Sequence, residues 1–211
     1  MAQPRIREFR FRDSNYRAPF LNAFEQHKCI TTAAPALRGL QSDGGRHGRN
    51  DGKLDQVGAL TAVLNAIGPS EAEDLFRTCL SGVKREVDGV WSAVWNEHDS
   101  DVAFDDISAG LTFVLVARII LMNLHTYLAR PIVKIDNKGE PALDFTSAEL
   151  PNGLSWLLRP VENRMCLFES LKDGTLDLAD IALMNDQLSV TAENQSRARK
   201  AAQQEAERKQ R

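Results

Sequence analysis

Apolar residues recur at helical spacing along most of this chain. They return every three or four positions between Leu54 and Ile67 and again between Leu75 and Leu80, which is the period of a helix with one buried face. From Ser108 to Leu128 most faces of the predicted helix are apolar, as is typical of a helix at the centre of a core. A further apolar set starts at Leu154 and continues into a tail rich in Ala, Gln, Glu, Lys and Arg. The pattern therefore predicts a mainly helical protein.

Two shorter stretches change to a strand-like pattern. Within Arg5–Asp13, Phe9 and Phe11 fall on one face of a short strand, with Arg10 and Arg12 on the other. Within Val83–Trp95, two β-leaning runs flank Asp88-Gly89, a dipeptide that tolerates the positive φ angles of a tight hairpin turn. The expected fold class is mainly α with a small β element (α+β): a helical core with a short N-terminal strand and a β-hairpin, followed by a C-terminal helical extension.

Short polar and proline-containing segments predict where several elements begin and end. Arg17-Ala18-Pro19 is expected to break the strand pattern before a helix over Phe20–Leu40. Ser70-Glu71-Ala72-Glu73 has the spacing of a capping box, in which the serine hydroxyl and the second glutamate satisfy free backbone N–H groups at a helix start. Asp105 or Asp106 is expected to cap the long apolar helix that follows.

A stretch of turn-forming residues divides the chain. Residues 132–151 contain Asn137-Lys138-Gly139 and two prolines, which are signals of irregular structure. We therefore expect a helical core over residues 1–130, a linker over 131–153 and a C-terminal helical extension with a polar tail over 154–211.

Composition indicates a soluble protein of a reducing compartment. The 211 residues carry a formal net charge of −3, which gives no general attraction to nucleic acids or acidic membranes. The three cysteines lie far apart without a Cys-x-x-Cys pair, so free thiols are expected. The N-terminus lacks the apolar run of a secretory signal. The apolar stretch Gly110–Ala129 would place Arg118 near the middle of a membrane span, at a high energetic cost, so a core helix is expected instead.

Signatures of catalysis and of metal binding are missing from the sequence. Nucleophile elbows, dinucleotide-binding fingerprints and paired catalytic carboxylates do not occur. The four histidines are scattered without metal-ligand spacing. We therefore predict no catalytic, cofactor or metal site, and a protein that works by binding another protein. A less favoured alternative is a small-molecule enzyme with a site assembled from Asp105, Asp106, Arg118 and His125.

Three stretches, taken in order, resemble the tail assembly chaperones of long-tailed bacteriophages. The first is Phe20–His27 after the N-terminal strand, followed by Ala34–Leu37. The second is Phe76–Leu80, which leads into a hairpin that carries tryptophan. The third is Asp106–Ser108 before a long helix that ends in Leu121–Leu124. Together the three stretches place the resemblance over about residues 5 to 130.

The resemblance implies a function in virion assembly. Such chaperones coat the long helical tape measure protein before the tail tube polymerises, and they recruit tail tube subunits. Many have a longer form, made by ribosomal frameshifting, whose added C-terminal segment contacts the tube protein; residues from Leu154 onward would suit such a segment. The resemblance also implies work in the bacterial host cytoplasm and absence from the mature virion. The main alternative is a structural virion protein, such as a neck or tail-completion component.

The expected working surface is a set of apolar helix faces and aromatic anchors rather than a pocket. Exposed apolar faces of this kind could also lead to a homo-oligomer in the absence of a client. Trp91 and Trp95 lie four residues apart in the second strand of the predicted hairpin, so they are expected on one face of it. The predicted partner-binding residues are Phe20, Phe24, His27, Trp91, Trp95, Val114, Arg118 and Leu121.

Overall fold

The computed structural model describes residues 6–43, 61, 64, 67–131, 133 and 148–210. The strands among these residues are β1 (Ile6–Phe11), β2 (Ser14–Pro19), β3 (Lys84–Val87), β4 (Val90–Ala93), β5 (Trp95–Asn96) and β6 (Asp101–Val102). The helices are α1 (Ala23–Asp43), α2 (Pro69–Leu80), α3 (Ala109–Ala129), α4 (Leu154–Glu162), α5 (Phe168–Lys172) and α6 (Leu178–Gln210), with a 3-10 turn at Pro151–Gly153 before α4. The fold is thus mainly α with a small β element, as the sequence predicts.

The main sheet has four antiparallel strands in the order β1-β2-β3-β4. Its second strand corrects a prediction, because Arg17-Ala18-Pro19 belongs to β2 instead of ending the strand pattern. Arg17 pairs with Glu8 on one side and with Lys84 on the other. Pro19 is the last residue of β2 and pairs only with β1, so its missing N–H removes no bond to β3.

The predicted hairpin over Val83–Trp95 is confirmed at its turn. Asp88 and Gly89 both have positive φ, 51° and 78°, and they join β3 to β4. Its far end differs from the prediction, because β4 ends at Ala93 and Trp95 starts a separate two-stranded sheet of β5 and β6. The expectation that Trp91 and Trp95 share one strand face is therefore wrong.

Two of the predicted helix caps are also wrong. The helix α2 starts at Pro69 with Gly68 as its N-cap, so Ser70 lies inside the helix. Proline suits the first position of a helix, since the N–H it lacks would have no intrahelical partner there. The N-cap of α3 is Ser108, while Asp106 pairs with Arg85.

A capping box does occur, at the start of α1. The backbone N–H of Glu25 donates to Asn22 Oδ1 at 3.0 Å, and the backbone N–H of Asn22 donates to Glu25 Oε2 at 2.8 Å. These two bonds satisfy N–H groups that have no partner within the helix. They fix the point at which the chain leaves β2 and enters α1.

The helix α3 is the centre of the fold. It packs against α1, α2 and α6, and eight of its side chains are buried. One of them, Asn123, accepts a hydrogen bond from the backbone N–H of Leu21 at 2.8 Å and donates one to the carbonyl of Ile119 at 2.9 Å. By length and composition alone α3 could also cross a membrane. Its contacts on several sides are those of the core helix that the sequence predicts.

The apolar core joins both ends of the chain in one cluster. Leu115 and Ile119 of α3 are fully buried in it, and so are Leu157, Leu171 and Ile181 from the C-terminal part of the chain. The helix predicted over Leu54–Ile67 lies largely outside the described residues, although Leu64 is described and is also fully buried.

Candidate partner-binding surface

An open groove runs between β1 and the C-terminal half of α3. It encloses about 480 Å³. On α3, the residues facing it return three or four positions apart, at Arg118, Leu121, His125 and Leu128, so they form one stripe of the helix. The residues that line this β1–α3 groove are Arg7, Arg118, Leu121, Met122, His125, Leu128 and Ala129.

The two arginines of the groove are held in place by aromatic rings. The Arg7 guanidinium carbon lies 4.7 Å from the centroid of the Phe20 ring, and its Nη1 donates to the carbonyl of Met122 at 3.2 Å. The guanidinium carbon of Arg118 lies 5.3 Å from the centroid of the Phe9 ring. Both contacts have the geometry of cation–π interactions. They fix where the two positive charges stand along the groove.

Four of the predicted partner-binding residues lie in or beside the groove. Arg118 and Leu121 line it, and Phe20 lies under the Arg7 guanidinium. Val114 is half-buried one turn before Arg118 on the same face of α3.

Phe24 and His27 instead face the C-terminal segment of the chain. The Phe24 ring meets the Phe168 ring edge to face, with centroids 5.6 Å apart. The imidazole of His27 stacks on Trp156 at 6.3 Å, and its Nε2 lies 2.7 Å from the carbonyl oxygen of Asn152. Both side chains therefore join α1 to residues 152–168.

The two predicted tryptophan anchors stand in different environments. Trp91 is half-buried in β4, with the Arg17 guanidinium carbon 4.6 Å from its ring centroid. Trp95 is only 4% exposed, and its Nε1 has no hydrogen-bond partner among the described residues. In this conformation Trp95 belongs to the core, whereas Trp91 reaches the surface.

Sequence reasoning missed Arg7, Met122 and Leu128 as parts of the groove. Arg7, Phe9 and Phe11 are two residues apart along β1. The strand period therefore already places Arg7 on the face of the two phenylalanines. Leu128 lies seven residues after Leu121 on α3, a spacing that keeps it on the same stripe. The sequence thus contains a signal for Arg7 and one for Leu128. The packing of β1 beside this stripe of α3, however, is a tertiary contact that neither signal predicts.

The residues of the alternative enzyme site are not brought together. Arg118 and His125 line the β1–α3 groove, while Asp106 lines a separate cleft of about 220 Å³ beside Tyr16 and Arg85. Arg85 Nη1 donates to Asp106 Oδ1 at 2.7 Å, and this bond raises the pKa of Arg85 and lowers that of Asp106. Among the described residues no three His, Cys, Asp or Glu side chains are grouped to hold a metal ion.

Two of the three cysteines lie side by side in the core. Cys29 Sγ and Cys79 Sγ are 3.8 Å apart, and both side chains are buried. The hydrogen bond with Cys29, together with burial, raises the pKa of the Cys79 thiol well above its ordinary value. Cys79 therefore stays protonated at neutral pH, which makes it a poor nucleophile.

Comparisons with known proteins divide the chain into two matched parts. A family model described as phage tail assembly chaperone protein (TAC) matches residues 7–131, more than half of the chain. A model for a family of unknown function (DUF6889) matches residues 166–205. Searches of curated proteins and of solved structures give no match. The first match contains both walls of the β1–α3 groove, and the second covers α5 and most of α6.

Proposed function

Because the chain belongs to the phage tail assembly chaperone family and has a role in tail assembly, we propose that it binds the tape measure protein while the tail is built. The family match over residues 7–131 is the observation that carries this proposal. It agrees with the resemblance inferred from the three ordered sequence stretches, which is thereby confirmed.

The β1–α3 groove supports the proposal as a place for a client helix. It combines an apolar stripe of α3 with fixed polar groups at its edge, which are the features of grooves that bind one face of an amphipathic helix. Leu128 is 60% exposed in it. A tape measure protein, being long and helical, would present the apolar stripes that such a groove covers.

The C-terminal helical segment is proposed to recruit tail tube subunits. Its support is an exposed apolar run just before and at the start of α5, formed by Met165, Leu167 and Phe168. Exposed apolar patches of this kind are found at protein–protein interfaces. The separate family match over residues 166–205 also supports the division into a core over 1–130, a linker over 131–153 and an extension over 154–211.

A family role as a chaperone suggests that the protein does not act as an enzyme.

We further propose that the protein works in the host cytoplasm and leaves before the virion is complete. Mass spectrometry of purified virions tests this point. An assembly factor is expected to be absent from the particles. Its recovery in stoichiometric amounts would favour the alternative of a neck or tail-completion protein.

Co-expression with the tape measure protein of the same phage tests the central proposal. We expect the two proteins to co-purify and the tape measure protein to become more soluble. Leu128→Glu is expected to reduce both effects, because it places a charge in the groove. Leu183→Glu is the matched control, since Leu183 is a similarly exposed leucine, 68% against 60%, on α6. If the wild-type chain neither binds the tape measure protein nor changes its solubility, the proposal is wrong.

A further inference from the structure

The charged side chains that line the β1–α3 groove are all cationic. Arg7 stands on the strand side and Arg118 on the helix side, with the exposed imidazole of His125 about two turns further along α3. No Asp or Glu is among the described residues that line the groove. Within the described part of the chain, neither guanidinium lies within ion-pairing distance of a carboxylate.

Both guanidinium groups are positioned before any partner arrives. A guanidinium that lies over an aromatic ring presents its N–H donors at the edge of its plane. Phe9 takes this place for Arg118, and Phe20 takes it for Arg7. A carboxylate that meets such a group forms charge-assisted hydrogen bonds, which are stronger than bonds between neutral groups. The ring contacts restrict both arginine side chains, so less side-chain entropy is lost on binding than for an unrestrained arginine.

The apolar part of the groove sets the shape of the occupant. Leu121, Met122 and Leu128 lie along α3, and the stretch from Arg118 to Leu128 spans about 15 Å of helix axis. An occupant helix of about three turns covers this length. A purely anionic ligand such as a nucleic acid backbone would leave these side chains in water, whereas one apolar face of a helix would bury them.

We propose that the β1–α3 groove binds an acidic amphipathic helix, whose apolar ridge covers Leu121 and Leu128 and whose flanking carboxylates pair with Arg7 and Arg118. The identification of that helix with a segment of the tape measure protein rests on the function proposed above. The chemistry of the groove does not, because it follows from the charge and spacing of the lining residues. Client segments are thus selected by the sign of the charge beside their apolar stripe.

Fluorescently labelled synthetic peptides test the charge rule on the full chain. Two peptides of about 18 residues, or five helical turns, share one leucine stripe and differ only in flanking residues, glutamate in one and lysine in the other. Fluorescence anisotropy should show binding of the glutamate peptide, with the lysine peptide weaker by about tenfold or more. Equal affinity for the two peptides, or tighter binding of the lysine peptide, would overturn the inference. So would a labelled single-stranded oligonucleotide that binds the groove better than the glutamate peptide.

Placing a negative charge within the groove gives the decisive variant. His125→Glu changes an exposed side chain, so the fold should survive, and circular dichroism checks that it does. We expect this variant to weaken the glutamate peptide and strengthen the lysine peptide. Arg118→Gln should weaken the glutamate peptide without weakening the lysine peptide, with partial recovery of glutamate-peptide binding in Arg118→Lys. Arg199→Gln, on the exposed part of α6, is the control and should change neither affinity.

The outcomes separate this inference from the proposed function. If His125→Glu leaves both peptide affinities unchanged while the wild-type chain still co-purifies with the tape measure protein, the groove chemistry is wrong and the function stands. If the peptides follow the charge rule but the tape measure protein is never bound, the groove takes acidic helices and the proposed client is wrong.

Discussion

Arg85 holds the segment before α3 against the main sheet. From β3 it donates to Asp106 Oδ1 at 2.7 Å and to Ser14 Oγ at 3.1 Å, and its guanidinium carbon lies 4.9 Å from the Phe104 ring centroid. One side chain thus ties β2, β3 and the entry to α3 together. Its own side chain is only 16% exposed, whereas that of Asp106 is 63% exposed.

The ion pair makes part of the stability depend on pH. The bond to Arg85 lowers the pKa of Asp106 below its ordinary value, so the stabilisation is present above the unfolded-state pKa and is lost as the pH falls towards the folded-state pKa. Asp106→Asn should therefore lower the free energy of unfolding at pH ~7 by no more than about 1 kcal/mol, since Asp106 is largely exposed. The difference from wild type should shrink below pH ~4.

Urea denaturation near pH 7 and pH 3.5 measures this effect, at values that bracket the ordinary aspartate pKa of about 3.9. Asp105→Asn is the control, because Asp105 is the exposed neighbour of Asp106 and should show a smaller effect at neutral pH. A constant difference between Asp106→Asn and wild type at both pH values would show that the ion pair is not its cause.

At the scale of elements, the two-residue turn Asp88-Gly89 constrains the backbone of the hairpin formed by β3 and β4. Gly89 has φ of 78°, and a Cβ placed on it would meet no atom within 4 Å. Gly110 lies in the first turn of α3, where an added Cβ also meets open space. The two glycines therefore differ in backbone conformation and not in crowding.

Substituting each glycine by alanine should give opposite signs of stability change. Gly89→Ala is expected to lower the free energy of unfolding by about 1 kcal/mol, because L-residues are disfavoured at positive φ. Gly110→Ala should raise it by up to about 1 kcal/mol, because alanine is the better helix former. Chemical denaturation of the two variants measures both values. Destabilisation of similar size in both would mean that side-chain space, and not φ, decides the outcome.

Several of these elements could be predicted from the sequence because their causes are local. Asp88-Gly89 specified its turn, and the apolar residues of α3 specified a core helix. The strand β2 was missed because only alternate residues, Tyr16 and Ala18, are buried in a short polar segment that ends in proline. Its pairing with β3, some seventy residues away, carries no local signal.

The candidate surface was also predictable only in part. Arg118 and Leu121 could be placed on one face of α3 from their spacing alone, whereas their apposition to β1 depends on the sheet. The sequence predicts Trp95 on the same face as Trp91 because nothing in it marks the end of β4 at Ala93. The contact of His27 with Trp156 spans more than a hundred residues, and so it could not be inferred from helical or strand periodicity.

At the scale of the whole molecule, Gln26 links the two ends of the chain. Its side chain is 1% exposed. Its Nε2 donates to the carbonyl of Leu21 at 2.7 Å, and its Oε1 accepts from the backbone N–H of Leu178 at 3.0 Å. The amide thus satisfies the first backbone N–H of α6 from within α1. Because Leu171 and Ile181 belong to the same buried cluster as Leu115, the N-terminal and C-terminal parts of the described chain share one core.

A shared core should unfold as one unit. Leu171→Ala is expected to lower the free energy of unfolding by about 2–5 kcal/mol, the usual cost of truncating a fully buried leucine. Tryptophan fluorescence and far-ultraviolet circular dichroism should follow one transition with the same midpoint. Leu167→Ala is the control, since Leu167 is 70% exposed and its effect should stay within about 0.5 kcal/mol. Two separate transitions, with only one moved by Leu171→Ala, would contradict a single core.

The outer part of α6 is a part of the molecule that the core does not support. Residues 191–209 are exposed apart from the half-buried Glu193 and Ser196, and they lengthen the helix by about 28 Å. A solvated helix of that length is marginal in water, because helical stability in proteins comes mainly from packing. Its turns can therefore open and re-form while the core stays closed. A partner that binds residues 191–209 must hold them in the helical conformation. Part of the binding free energy therefore goes into ordering the helix.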